Sequence, residues 1–342
     1  MKPAIVYLAQ NTLRDTQYGR DSRSLLEKSL DLLFKNYNDK FKHDVLIFHE
    51  GDFKEKDQNE IARGRKEIEF KEIHFEVPSF LRVEEIPKIW TDGYGSNFGM
   101  GHRHMIRFYA VRLFDILNEL GYDWFFRMDD DSFLHSPIDY NLFEFMESKG
   151  YEYGYRVDFR DAATSARGFG EAVVAYIKAE NISPTFFDEH LKTAGMSLKV
   201  QLKNMVKTCL MRMFPNGRKY DLVPPVGEYD LWGYYNNFFI TKISFWKTAE
   251  LQAFIHHFDR IGGWYKYRWN DLIFQSAAVQ VFMPRAKVFK FTDWTYEHGT
   301  IKNGKLLCGG IYEGRLDTNS DAAKQFKATY GVATAGEPCP SY

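Results

Sequence analysis

The chain opens on an apolar run, AIVYLAQ, and returns to one at HDVLIFHE; between them SLLEKSLDLLFKNYNDKF carries Leu26, Leu30, Leu33 and Tyr37 at helical spacing. This reads as strand, helix, strand, with the helix opened by the capping box Ser24-x-x-Glu27. EIHFEVP alternates Ile73, Phe75 and Val77 with His74 and Glu76, the pattern of a half-buried strand that Pro78 ends. A second helix is predicted from about His104 to Leu120, with Ile106, Tyr109, Leu113, Ile116, Leu117 and Leu120 on one face and Gly121 as its stop. WFFRM is a further strand, SPIDYNLFEFMESKG a short helix closing at Gly150, and YEYGYRV another strand. Strands alternating with helices predict an α/β fold with a mostly parallel central sheet and helices on both faces.

One stretch breaks this pattern. In DWFFRMDDDSFL, Asp123 to Leu134, a strand-like apolar run meets Asp129, Asp130 and Asp131 and then becomes apolar again. Adjacent carboxylates repel, and burying them unpaired costs several kcal/mol, so a positive group or water must meet them. Ligands of open α/β sheets sit outside the carboxyl ends of strands, where these residues fall. Asp129 and Asp131, two apart in an extended turn, can share one divalent cation while Asp130 turns aside. Hard carboxylate oxygens suit Mg²⁺ or Mn²⁺. A solvated acidic turn is the competing reading.

Composition narrows the classes. With 342 residues, 44% hydrophobic and 17% aromatic, the chain can bury a large core. Lys plus Arg (45) balances Asp plus Glu (46), so no net field recruits nucleic acid or an anionic membrane surface. Cys209, Cys308 and Cys339 are odd in number and lack metal-ligand spacing, so a disulfide scaffold is not expected, although one bridge is open. The apolar start is too short for a signal peptide or transmembrane span, and no later run reaches membrane length. The expectation is a soluble, cytoplasmic protein without an integral membrane segment.

Further along stand EYDLWGYYNNFFITKISFWKT, FDRIGGWYKYRWNDLIFQSAAV and FTDWTYEHGT, preceded by GHRHMIRFY and FFRMDDDSFL. In order and approximate spacing they resemble the fungal α-1,2-mannosyltransferases, the Golgi glycolipid and glycoprotein mannosyltransferases that extend mannose chains. The resemblance spans nearly the whole chain, is weakest between about Ala162 and Val226, and is most specific from Arg260 to Val279. It implies a GT-A fold, Mn²⁺, GDP-mannose as donor, a glycan acceptor, and transfer with retention of configuration. It also implies one large domain, 1–342, with residues 1–160 as the nucleotide-sugar half and 161–342 as the acceptor half. Members of the family are usually tethered in the secretory pathway, so a location in the Golgi lumen follows if an anchor lies outside this sequence.

Carried over by position, Asp129 and Asp131 resemble the family's acidic pair for metal and nucleotide, and His298 in YEHG resembles a metal ligand. Arg107, Asp130 and Asn11 are expected on the nucleotide side, Arg107 as a partner of donor phosphate. Asp271 is expected as a carboxylate able to take the proton of an attacking hydroxyl, or simply as a first-turn helix acid. Asp161, or Asp158 if the alignment shifts, is expected to face the acceptor, with Tyr235, Asn237, Phe239, Arg268 and Trp269 contacting sugar. Phe239 departs from the family, which has a glutamate there that is a candidate nucleophile. Three readings follow: same-face attack guided by the leaving phosphate, a carboxylate from Glu228 or Asp230, or loss of the reaction. The alternatives to a mannosyltransferase are therefore a non-catalytic sugar or nucleotide-sugar binder and a transferase with a different donor.

Overall fold

The computed structural model describes residues 1–12, 22–87, 99–161, 166, 168–191, 229–302 and 305–312. Its centre is a seven-stranded sheet of β1 (Pro3–Leu8), β2 (Asp44–His49), β3 (Ile68–Glu72), β4 (Trp124–Met128), β6 (Tyr153–Tyr155), β9 (Phe238–Lys242) and β10 (Val288–Lys290). The order across the sheet is β10-β6-β9-β4-β1-β2-β3. Parallel pairing links β1 to β2 and β4, β2 to β3, and β6 to β10; β9 alone runs antiparallel, between β4 and β6. The expected α/β architecture with a mostly parallel sheet is thus present.

Both faces of the sheet are covered, which is why β1 is apolar without alternation. Ile5 and Tyr7 join Val45 and Ile47 beneath Leu26, Leu30, Leu33 and Tyr37 of the first helix. Ala4 and Val6 join Leu46 and Phe48 against Phe108, Leu113, Phe114 and Leu117 on the other side. Helix Asp271–Phe282 is buried all round and shares that second core, so its sequence shows no polar stripe.

Three local expectations are corrected. The first helix begins at Ser22, so Ser24 lies within its first turn and not ahead of it, and Glu27 pairs with Arg23 at 3.1 Å. The second starts at Met100 and widens into a π-turn at Phe108–Arg112; Leu120 falls beyond its last residue and is 36% exposed, with Gly121 at φ 76° making the stop. The third strand is Ile68–Glu72, upstream of the alternating segment. Phe75 and Val77 still pack on the core, but as chain leaving the edge of the sheet, so side-chain alternation persists without a ladder.

The connection path creates the crevice. From β1 the chain moves outward to β2 and β3, then returns to place β4 on the opposite side of β1. The loops leaving β1 and β4 diverge at this reversal, and ligands bind at such points. A small antiparallel sheet closes it: β5 (Ser132–Leu134) pairs with β11 (Tyr296–Lys302), which pairs with β12 (Lys305–Tyr312). A short pair, β7 (Asp158–Arg160) with β8 (Trp232–Tyr234), flanks the same end. Among the described residues no helix is long and apolar enough to cross a membrane. The cysteine side chains lie outside the described residues.

Tight packing beside the crevice is testable at Gly263, where an added Cβ would lie 2.0 Å from Cε3 and 2.2 Å from Cδ2 of Trp269. Gly263→Ala should destabilise by about 1–3 kcal/mol. Gly101→Ala, in a helix with open space among the described residues, should be neutral or slightly stabilising. Paired urea melts would show the contrast.

Candidate active site

The site begins with the turn after β4. Ser132 N donates to Asp129 O at 3.0 Å, and Ser132 Oγ shares a 2.8 Å hydrogen bond with Tyr296 Oη. From below, Ser29 Oγ donates to Ser132 O at 2.5 Å. These bonds fix the turn that carries the aspartates. The β5–β11 register then sets His298 opposite Ser132, so the imidazole arrives beside Asp131. Behind it, the buried His135–Glu297 pair at 2.6 Å ties the end of β5 to the same strand.

His298 Nε2 lies 3.0 Å from Asp131 Oδ1 and 3.9 Å from Asp129 Oδ2. One ligand atom from each of the three residues lies within 4.8 Å of the others. Tyr235 Oη is 3.1 Å from His298 Nδ1, and Asn237 Nδ2 is 2.8 Å from Nε2 while donating to Asp129 Oδ2 at 2.5 Å. A carboxylate only accepts, so the Asn237 amide turns its nitrogen toward Asp129. Two carboxylates and an imidazole held by an outer hydroxyl fit a divalent ion that accepts both oxygen and nitrogen.

The positive group demanded by the aspartates is Arg127, two residues upstream in β4. Its Nε donates to Asp129 Oδ1 at 2.8 Å and its Nη1 to Asp271 Oδ2 at 2.6 Å. The guanidinium is centred 3.4 Å from the Tyr109 ring centroid, and the side chain is 3% exposed. Burial opposes its charge, but Asp129 and Asp271, with the Tyr109 hydroxyl, outweigh it and hold the arginine more firmly protonated than usual.

Asp271 stands in the first turn of its helix, buried, and also accepts from Asn236 Nδ2 at 2.8 Å. The preceding residue, Asn270, donates through Nδ2 to Asp161 Oδ2 at 3.0 Å. Thus Asp129, Asp131, His298, Tyr235 and Asn237 form one cluster, Asp271 joins it through Arg127, and Asp161 adjoins Asp271. Asp130, between Asp129 and Asp131, is half-buried. Arg268 takes a left-handed backbone, φ 58°, just ahead of this corner.

Other expected residues have different work. Arg107 makes a bidentate pair with Asp259, both bonds 2.8 Å, so the Nε and Nη2 read as phosphate donors are committed to that carboxylate. Phe239 is fully buried, stacked on Tyr153 and edge-on to Phe125 in the core, and therefore offers no surface to a sugar. Trp269 is likewise a core residue, against Gly263, Phe169 and Phe258. Asn11 binds the loop after β2: its N donates to Asp52 Oδ2 at 2.5 Å and its Nδ2 to Asp52 O at 3.0 Å. Asp230 pairs with His190 and Arg160 and accepts from Trp232 N at 2.8 Å. Glu228 lies outside the described residues. Arg127 and Asn236 were not among the expected site residues. A lone charge inside WFFRM was the available signal for the first; nothing local marks the second.

The mixed sheet with its reversal between β1 and β4 is of the GT-A type, the fold of the solved structures it matches. The chain belongs to the family described as glycolipid 2-alpha-mannosyltransferase, whose model matches residues 19–310. Among its relatives, glycolipid 2-alpha-mannosyltransferase 2 of Candida albicans is 23% identical over 86% of this chain and 60% of its own length. O-glycoside alpha-1,2-mannosyltransferase homolog 5 of Schizosaccharomyces pombe is 25% identical over 64% of this chain and 50% of its own. The chain therefore spans 50–60% of the length of these curated relatives. Core-mannan synthase A from Aspergillus fumigatus, solved in an Mn/GDP form, matches 96% of this chain and 85% of its own, with TM-score 0.71 and 16% identity. Ktr4p from S. cerevisiae in complex with GDP matches 90% and 73%, with TM-score 0.67 and 18% identity.

Arg127→Met would leave the buried Asp271 and half-buried Asp129 without their common cation. The expected loss is about 3–5 kcal/mol of folding stability, read as a lower urea midpoint with an unchanged slope. A midpoint at the wild-type value would show that the two carboxylates do not depend on this arginine.

Proposed function

We propose that the chain is a metal-dependent retaining glycosyltransferase that moves mannose from GDP-mannose to a hydroxyl of a mannose-containing glycan, forming an α-1,2 linkage. The observation that carries this reading is the convergence of Asp129, Asp131 and His298 at the sheet's reversal point, with Asp271 tied to the same cluster. Support comes from family membership and from the fold shared with proteins solved with Mn and GDP or with GDP.

In this reading Asp129, Asp131 and His298 hold Mn²⁺, and Tyr235 and Asn237 orient the imidazole and one carboxylate. Bound there, the ion neutralises the departing diphosphate. Asp271 accepts the proton of the attacking hydroxyl or orients it, and Asp161, linked through Asn270, lies on the acceptor side with Arg268. Residues 1–160 then supply most of the donor site and 161–342 the acceptor site, with His298 crossing between them. With Phe239 packed in the core, same-face attack guided by the leaving phosphate is the route to retention in this reading.

The test is GDP release from GDP-mannose with Mn²⁺ and a simple mannoside, against other nucleotide sugars. Excess chelator should abolish donor binding and Mn²⁺ should restore it best; donor affinity indifferent to chelator defeats the proposal. Asp271→Asn should lower turnover roughly 10²-fold with the fold intact. Tyr235→Phe, which removes the hydroxyl behind His298, should weaken Mn²⁺ binding at least about 10-fold. GDP-mannose bound but never turned over, with any acceptor, would favour the non-catalytic binder.

A further inference from the structure

We infer that Arg127 is a positioning residue that couples the acceptor-side carboxylate to the metal site, so that Asp271, which is no ligand, sets the affinity for the ion through it. The inference rests on the metal-site reading above and extends it to residues outside the ligand set.

Asp129 has two oxygens with separate tasks: Oδ1 accepts from Arg127 Nε at 2.8 Å, and Oδ2 faces Asn237 and His298. Arg127 thereby fixes the rotamer that turns Oδ2 toward the ligand cluster. The same guanidinium donates to Asp271 Oδ2 at 2.6 Å through another nitrogen. It is buried and lies over the Tyr109 ring, so water cannot take over either bond when one partner changes. One cation is thus shared between two carboxylates. Whatever Asp271 withdraws from that sharing falls on Asp129.

The sign follows. Neutralising Asp271 leaves the full arginine charge to Asp129, which binds Oδ1 more tightly and adds an uncompensated positive charge beside an incoming divalent ion. In a partly buried setting, one unit charge a few ångströms away is enough to weaken binding about tenfold. Loosening Asp271 from its other donor, Asn236, has the opposite effect: the carboxylate then leans on Arg127 and relieves Asp129.

The experiment measures Mn²⁺ affinity alone, by the electron paramagnetic resonance signal of free Mn²⁺, without donor or turnover. Asp271→Asn should weaken binding about tenfold. In an Arg127→Lys background, where a single ammonium replaces the planar fork, adding Asp271→Asn should change affinity less than about threefold. Asn236→Ser should tighten binding about twofold, and it carries the test alone if Asp271→Asn does not fold. Asp259→Asn, which breaks the separate pair with Arg107, should leave Mn²⁺ affinity unchanged. Equal losses from Asp271→Asn in both backgrounds, no loss at all, an unaltered Asn236→Ser, or a matching loss from Asp259→Asn each overturn the coupling. Wild-type protein that binds no Mn²⁺ overturns instead the metal-site reading on which it stands.

Discussion

A guanidinium placed inside a sheet, where water cannot reach it, is the constraint around which this structure is arranged. Such a charge is tolerated only with hydrogen-bonded counter-charges, and Arg127 has two, one at the end of its own strand and one at the head of a distant helix. The helix Asp271–Phe282 is therefore held by more than apolar packing: its first turn must reach the arginine. Tyr109, on a third element, supplies the face beneath the cation. Three parts of the chain meet at one side chain, and the crevice is shaped by where they meet.

Much of the fold was legible because it follows from burial. Strands covered on both faces read as uninterrupted apolar runs, and β1, β2 and β4 fall where such runs occur. What was not legible was partnership. The alternation at Ile73, Phe75 and Val77 reports which side chains turn inward, yet says nothing of whether a neighbouring strand is there to pair with. The antiparallel pairing of β9 with β4 and β6 leaves no mark in its apolar run, which would read the same in either direction.

The site divides the same way. Asp129 and Asp131 stand out as paired carboxylates at a strand end, while His298 is singled out only through the family resemblance; the structure brings the three side chains together. Arg107, Phe239 and Trp269 were read as contacts of donor or acceptor and turned out to be an ion pair and two core aromatics. The GGWYKYRW segment shows why. Gly262 at φ 70° ends the helix Ala249–Ile261, Gly263 admits the Trp269 indole, and Trp264 Nε1 reaches Asp259. Its specificity of sequence records a tight corner that delivers the next two residues, Asn270 to Asp161 and Asp271 to Arg127. A pattern that is hard to obtain by chance can be demanded by packing as much as by a ligand.

The closing of β11 onto β5 has a consequence for how the protein is made. Ser132 and Tyr296, whose hydroxyls meet beneath the aspartate turn, are separated by 164 positions. Bringing such distant segments together costs loop-closure entropy that is repaid only when the intervening sheet has formed. Asp129, Asp131 and His298 therefore come together only once β11 has paired with β5. On the metal-site reading, an ion would find its three partners assembled only after these two distant stretches of the chain have met, so it could not template the fold before then.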